Sequence, residues 1–106
     1  MNISKKALYI RHKAKPGKRE DVKRVWERYA RPYVEAAGGQ LVYVYGFDDM
    51  DPDVIVAYQL MADASGADDF IDQPWYGDDE RETAALLAGP SEFRTITPQW
   101  IKGEPT

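Results

Sequence analysis

The sequence contains no cysteine, which excludes disulfides, thiolate nucleophiles and every metal site built on sulfur. It contains a single histidine, His12. One imidazole makes neither a metal centre nor a Ser-His-acid triad by itself, and no paired carboxylates at ligand spacing accompany it. No apolar run approaches the roughly 18 residues that a membrane-spanning helix needs. Met1 to Lys6 carries charge without an apolar stretch behind it and does not read as a signal peptide. The glycines form no G-x-G-x-x-G pattern and no P-loop, so phosphate-cradling loops are excluded as well. No internal repeat or low-complexity segment is present. A cytoplasmic protein, read as one domain over residues 1–106, is the expectation these absences leave.

Hydrophobic residues make up 43% of the chain and aromatic residues 12%, enough apolar surface for a packed core. The net charge of −4 hides an asymmetry. Residues 1–31 hold eleven Lys or Arg against three acids, and residues 32–106 hold three against fifteen. The basic residues alternate with apolar ones and lack the aromatic-basic pattern of RNA binders, so they read as a wet helix face, and no nucleic-acid partner is expected.

Gln40 to Met61 is the organising stretch. Leu41, Tyr43, Tyr45 and Phe47 alternate with Val42, Val44 and Gly46, the period of two that a pleated strand requires. Asp48 to Pro52 supplies turn chemistry, and Val54 to Met61 reads as a second strand. Both faces of this hairpin are apolar, so each needs cover. Upstream, Lys6 to Lys13 reads as a first strand, with Leu8, Ile10 and His12 on one face and Ala7, Tyr9 and Arg11 on the other. After a turn at Lys15 to Lys18, helical spacing runs from Arg19 through Val22, Val25, Trp26, Tyr29 and Tyr33. Pro32 predicts a kink or break there, and Gly38-Gly39 a left-handed cap. Downstream, Ser65 and Asp68 suggest a capping box before a short helix carrying Phe70, which Pro74 stops. A further helix is expected from near Asp78, whose acidic neighbours suit the helix N-terminus, with Thr83, Leu86 and Leu87 buried. Phe93 to Ile101 completes the set as a strand interrupted by Pro98.

The order β-α-β-β-α-(α)-β implies an α+β fold, the ferredoxin-like split βαβ with a four-stranded antiparallel sheet and helices on one face. The other face lacks a cover within one chain. A second copy would supply it, giving a homodimer in which two sheets form a dimeric α+β barrel.

These residues resemble the antibiotic biosynthesis monooxygenase family. The resemblance is carried by the strand ending in Lys15-Pro16-Gly17-Lys18, the helix Arg19 to Ala37 and the Tyr43 to Phe47 strand. It extends through Asp51-Pro52-Asp53, Tyr58-Gln59, Phe70 to Tyr76 and Leu86 to Pro90, spanning roughly residues 6 to 102. It implies the dimeric α+β barrel and small cofactor-independent oxygenases among the relatives. Two positions depart from the pattern: Gln59 stands where many relatives have Glu, and Phe70 where many have His. The haem-degrading branch would need an imidazole on the third helix and an Asn in the first strand. Asp78 to Glu80 and Ile10 stand there instead, which argues against haem.

His12 is the one side chain whose ordinary pKa lies near neutrality, so it is the candidate base for a phenolic substrate; the alternative is a strand-end histidine without chemistry. Trp26, Tyr29, Tyr45, Tyr58, Phe70, Trp75 and Tyr76 are candidates for an apolar slot, with Gln59 orienting ligand oxygens; the alternative is that many fill the core or the seam. A one-residue slip in the hairpin would send Tyr43 and Tyr45 to the opposite sheet face. Two functions follow. One is an oxygenase, needing no cofactor, that acts on a small aromatic or quinol-like compound. The other is a non-catalytic or isomerase-type protein that binds an apolar ligand in the same slot.

Overall fold

The computed structural model describes residues 5–104. Four strands, β1 (Lys6–Lys13), β2 (Gln40–Phe47), β3 (Val54–Met61) and β4 (Glu92–Ile96), form one sheet. Three helices, α1 (Arg19–Ala36), α2 (Gly66–Ile71) and α3 (Tyr76–Leu86), complete the set. The strand order is β2-β3-β1-β4 with every neighbouring pair antiparallel. This is the ferredoxin-like arrangement that the sequence predicts.

Register fixes the two faces. Leu8 pairs with Gln59, Ile10 with Ala57 and His12 with Ile55. On the other side of β3, Tyr43 pairs with Gln59, Tyr45 with Ala57 and Phe47 with Ile55. Paired residues share a face, so His12, Tyr43, Tyr45 and Gln59 all stand on one side of the sheet. Leu41 is the extra residue of an irregularity between Gln40 and Val42, which sets the parity of the tyrosines behind it.

The helices cover that face. Val22, Val25 and Ala30 of α1 are buried, as the helical spacing requires. Val22 packs with Ala14 and Ile55, and Tyr45, Phe47, Leu86 and Leu87 close around them. Arg24 and Arg31 stay on the wet side of α1 and pair locally, Arg24 with Asp21 and Arg31 with Glu27 and Glu35. Arg19 at the start of α1 donates to the carbonyls of Asp48, Asp51 and Val54 and lies 4.0 Å above the Phe47 ring. One guanidinium thereby ties the β2–β3 loop to the helix. On the opposite sheet face Val42, Val44, Tyr58 and Ile96 are exposed.

Several chain terminators behave differently from expectation. Pro32 does not break α1, which runs through it. Proline is exposed here and removes one hydrogen bond to a wet carbonyl, which water can replace. No left-handed glycine caps α1, since Gly38 and Gly39 keep negative φ. Ala37, in extended conformation, donates to the Tyr33 carbonyl, and the Gly39 carbonyl accepts from Ala62 N–H at 2.8 Å. Sheet pairing takes what the cap would have used. Ser65 makes no cap for α2; its hydroxyl and N–H both go to Asp63 Oδ1. Helix α3 begins at Tyr76, and β4 ends at Ile96, short of Pro98.

Candidate functional site

Between the sheet and the helices lies a cavity of about 750 Å³, within the range that holds a drug-sized molecule. Its floor is Leu8, Ile10 and His12 of β1, Tyr43 and Tyr45 of β2, and Gln59 of β3. Val22 and Trp26 of α1, Phe70 and Ile71 of α2, and Tyr76, Asp79 and Thr83 of α3 form the roof. Leu87 to Ser91 and Phe93 close one end.

His12 stands at that end. Its Nδ1 lies 2.5 Å from Ser91 Oγ, and the Phe93 ring meets the imidazole edge-on at 6.4 Å. Ser91 precedes β4, and the pairing of Arg11 with Glu92 brings it beside β1. Burial lowers the His12 pKa from its ordinary 6.5, because a charged ring is poorly solvated there. The neutral imidazole is therefore the resting form near pH 7. When Nδ1 carries the hydrogen and donates to Ser91, Nε2 is the basic nitrogen.

The aromatic wall is built in pairs. Trp26 stacks on Tyr45 with ring centres 4.2 Å apart, and its indole N–H donates to Tyr43 Oη at 3.1 Å. Burial pushes the Tyr43 hydroxyl up to about 12, opposed by the Trp26 N–H. The Tyr45 hydroxyl is raised too, chiefly by burial, and this buried oxygen has no hydrogen-bond partner among the described residues. Gln59 is 2% exposed and presents its side chain to the same cavity. A buried, unpaired hydroxyl costs free energy unless a ligand satisfies it.

Of the residues the sequence singles out, His12, Trp26, Tyr45, Gln59, Phe70 and Tyr76 come together around the cavity. Tyr58 does not. It pairs with Tyr9 and Val44 and lies on the other sheet face, 38% exposed. Strand alternation permits just one of the neighbours Tyr58 and Gln59 to face the cavity. Tyr29 is drawn away by Glu82, which accepts from its hydroxyl and also pairs with Arg28. Trp75 sits behind the wall, packed at 5.1 Å against Phe70 and at 5.8 Å against Tyr33. Sequence reasoning missed Asp79 and Ser91 and left Tyr43 undecided. Tyr76, Asp79 and Thr83 share one helical face by spacing, which is a usable signal; Ser91 reaches His12 through long-range pairing and leaves none.

Three carboxyl side chains, Asp68, Asp79 and Glu80, line the cavity, and Asp79 is the one whose proton is held near neutral pH. Burial, then the charges of Glu82 and Glu80, push its pKa up to about 6. Its neighbours Asp78 and Glu82 pair with Arg81 and Arg28. Asp79 has no ion-pair partner among the described residues. Nor, among them, does any group of three or more His, Cys, Asp or Glu side chains offer a metal site.

No family model and no curated protein matches the chain. Solved structures do. A protein from Chloroflexus aurantiacus provisionally named antibiotic biosynthesis monooxygenase is 23% identical, with a TM-score of 0.78 over 94% of this chain and 98% of its own. One from Nitrosomonas europaea with the same provisional name is 14% identical, with a TM-score of 0.85 over 97% and 98%. SnoaB, a cofactor-independent oxygenase from Streptomyces nogalater, is 16% identical, with a TM-score of 0.79 over 95% and 99%. The chain therefore has the fold of the solved proteins that carry the name antibiotic biosynthesis monooxygenase.

Proposed function

We propose that the protein is a homodimeric monooxygenase that needs no cofactor and acts on a hydrophobic phenolic or quinol-like molecule. The observation that carries this reading is a neutral imidazole at one end of an apolar, aromatic-walled cavity of about 750 Å³. His12 Nε2 takes the phenolic proton, leaving an electron-rich anion that reduces dioxygen directly. Trp26, Tyr45, Phe70 and Tyr76 flank the substrate ring, and Gln59 with the unpartnered Tyr45 hydroxyl meets its oxygens. Likeness of fold to a cofactor-independent oxygenase supports the reaction class.

The dimer belongs to the same reading. Val42, Val44, Tyr58 and Ile96 leave an apolar sheet face exposed, and a second copy of that face is a self-complementary cover. Among the described residues no helix is long and apolar enough to cross a membrane, and a cytoplasmic location fits a chain without cysteine.

Oxygen uptake with a panel of reduced naphthoquinols and anthrones tests the chemistry. Uptake above the uncatalysed rate, lost in His12→Ala with the fold intact, is the expected result. Rates equal to the uncatalysed ones across the panel would refute it. Light scattering tests the dimer, with twice the 12.1 kDa chain mass expected.

A further inference from the structure

The cavity has two poles. His12 pairs with Ile55, while Tyr45 pairs with Ala57 on the far side of β3. Two residues along and two strands across separate their Cα atoms by roughly 12 Å. His12 and Ser91 mark one pole, and Asp79 and Tyr45 mark the other. Asp79 lines the same cavity from α3, seven residues before Leu86, whose carbonyl accepts from Lys15 N–H just past the His12 end of β1, so it stands about 10 Å along the helix toward the other pole. Burial and the acids beside Asp79 disfavour its ionised form. Glu80 and Glu82 lie on its own helix, Asp68 of α2 lines the same cavity, and Tyr43, Tyr45 and Tyr76 contribute phenols that stay neutral. From α1 the cation Arg28 is engaged by Glu82, as is Tyr29, and Arg81 is engaged by Asp78. A carboxyl held this way gives and takes protons near neutral pH.

We propose that Asp79 is the second proton carrier of the cavity, giving its proton to a substrate oxygen at the pole opposite His12. The proposal rests on the oxygenase reading above and assigns the step that His12 leaves open. After His12 takes the phenolic proton, the anion's ring carbon bonds to dioxygen, which accepts the electron pair and becomes a bound peroxide anion. The Asp79 carboxyl protonates its outer oxygen, giving a hydroperoxide. The carboxylate then removes the hydrogen from the same carbon as a proton. The C–H pair becomes the second bond of a new carbonyl, the O–O bond breaks, and hydroxide leaves. Solvent supplies the proton that makes it water, and protonated His12 at the other pole returns its proton to solvent. One dioxygen becomes one carbonyl oxygen and one water, and both residues return to their starting forms.

The test uses 9,10-anthraquinone, an unreactive ligand without a titratable group, and follows its binding through quenching of tryptophan fluorescence. A protonated Asp79 donates a hydrogen bond to a quinone oxygen. Binding to the native protein should therefore weaken about tenfold between pH 5 and pH 8. In Asp79→Asn the amide donates at every pH, and the profile should be flat. The same slope in native protein and Asp79→Asn would overturn the proposal, as would a flat native profile. Absence of binding at every pH would overturn it together with the cavity reading. Oxygen uptake by the native protein on the anthrone panel separates the two levels: uptake with a flat binding profile defeats Asp79 alone, whereas no uptake defeats the oxygenase reading. Should Asp79→Asn fail to fold, carboxyl carbon NMR of labelled aspartate in the native protein decides. A carboxyl titrating near pH 6 that moves on adding anthraquinone supports the proposal, and its absence overturns it.

Discussion

Helix α2 carries Phe70 and Ile71 onto the cavity, and its position rests on one close approach. A Cβ added at Gly66 would lie 2.8 Å from Met61 Sδ and 2.9 Å from Met61 Cβ and Cγ. Met61 is fully buried, and its Cβ is fixed to the backbone, so rotation of the side chain does not clear the contact. Overpacking of this kind costs about 1–3 kcal/mol. Against it stands a helix-propensity gain of at most about 1 kcal/mol for replacing glycine by alanine, reduced because Gly66 is the first residue of α2. The clash wins, and Gly66→Ala should destabilise by about 1–2 kcal/mol. Gly77 is the control. It lies inside α3 with negative φ, and an added Cβ meets nothing within 4 Å, so Gly77→Ala should stabilise by about 0.4–1 kcal/mol. For a chain of this size each kcal/mol moves the melting temperature by about 4–8 °C. Thermal unfolding should then show Gly66→Ala roughly 5–15 °C below the native protein and Gly77→Ala a few degrees above it. Shifts of the same sign in both variants would refute the close-approach argument. Pushing α2 off Met61 also moves the Phe70 wall, so Gly66→Ala should weaken aromatic ligands where Gly77→Ala does not.

Three further outcomes follow from the site. Ser91→Ala removes the partner of His12 Nδ1 and leaves the imidazole free to rotate and to change tautomer; turnover of quinols should fall roughly fivefold to tenfold with melting temperature nearly unchanged. Trp26→Phe removes the donor to Tyr43 Oη and part of the stack on Tyr45, and denaturant unfolding should show a loss of about 1–2 kcal/mol. Asp79→Asn bears on stability with a definite sign. The folded pKa is raised from 3.8 to about 6, so the folded chain binds this proton more tightly than the unfolded one. Native stability therefore falls as pH rises from about 4 through 6, by at most roughly 3 kcal/mol. Asp79→Asn should stabilise the protein by roughly 1–3 kcal/mol near pH 8 and scarcely at all near pH 4, as urea midpoints at the two pH values would show.

Much of the fold was legible because its two periods do not compete. The alternation of β2 and the spacing of Val22, Val25 and Trp26 in α1 each match one template, and the ranges follow. Local terminators were less legible because sheet pairing overrode them. Gly39 serves the backbone of Ala62 rather than a helix cap, and Pro32 rides on a wet helix face. The site was legible where a face is set by a strong pattern, as for His12 and Trp26. It failed on β3, whose sequence is apolar on both sides. There, periodicity does not say which of Tyr58 and Gln59 turns inward, and the register with Leu8 and Tyr43 does.

The acidic run on α3 shows how far helical phase, rather than composition, decides chemistry. Asp78, Asp79, Glu80 and Glu82 look alike in sequence, and each suits the start of a helix. On the folded helix they part company. Asp78 turns to Arg81 at 2.6 Å on the surface, an exposed pair worth little. Glu82 points at α1 and holds Arg28 and Tyr29, tying the two helices that roof the cavity. Asp79, three residues after Tyr76 and four before Thr83, faces inward with them. The same run thus supplies a surface pair, a helix clamp and a half-buried acid. The clamp and the acid depend on each other, since Glu82 both occupies the nearby cation and repels the charge on Asp79. Loosening the clamp would free Arg28 to neutralise Asp79, so the raised pKa of this carboxyl, set first by burial in the cavity, also depends on the α1–α3 contact.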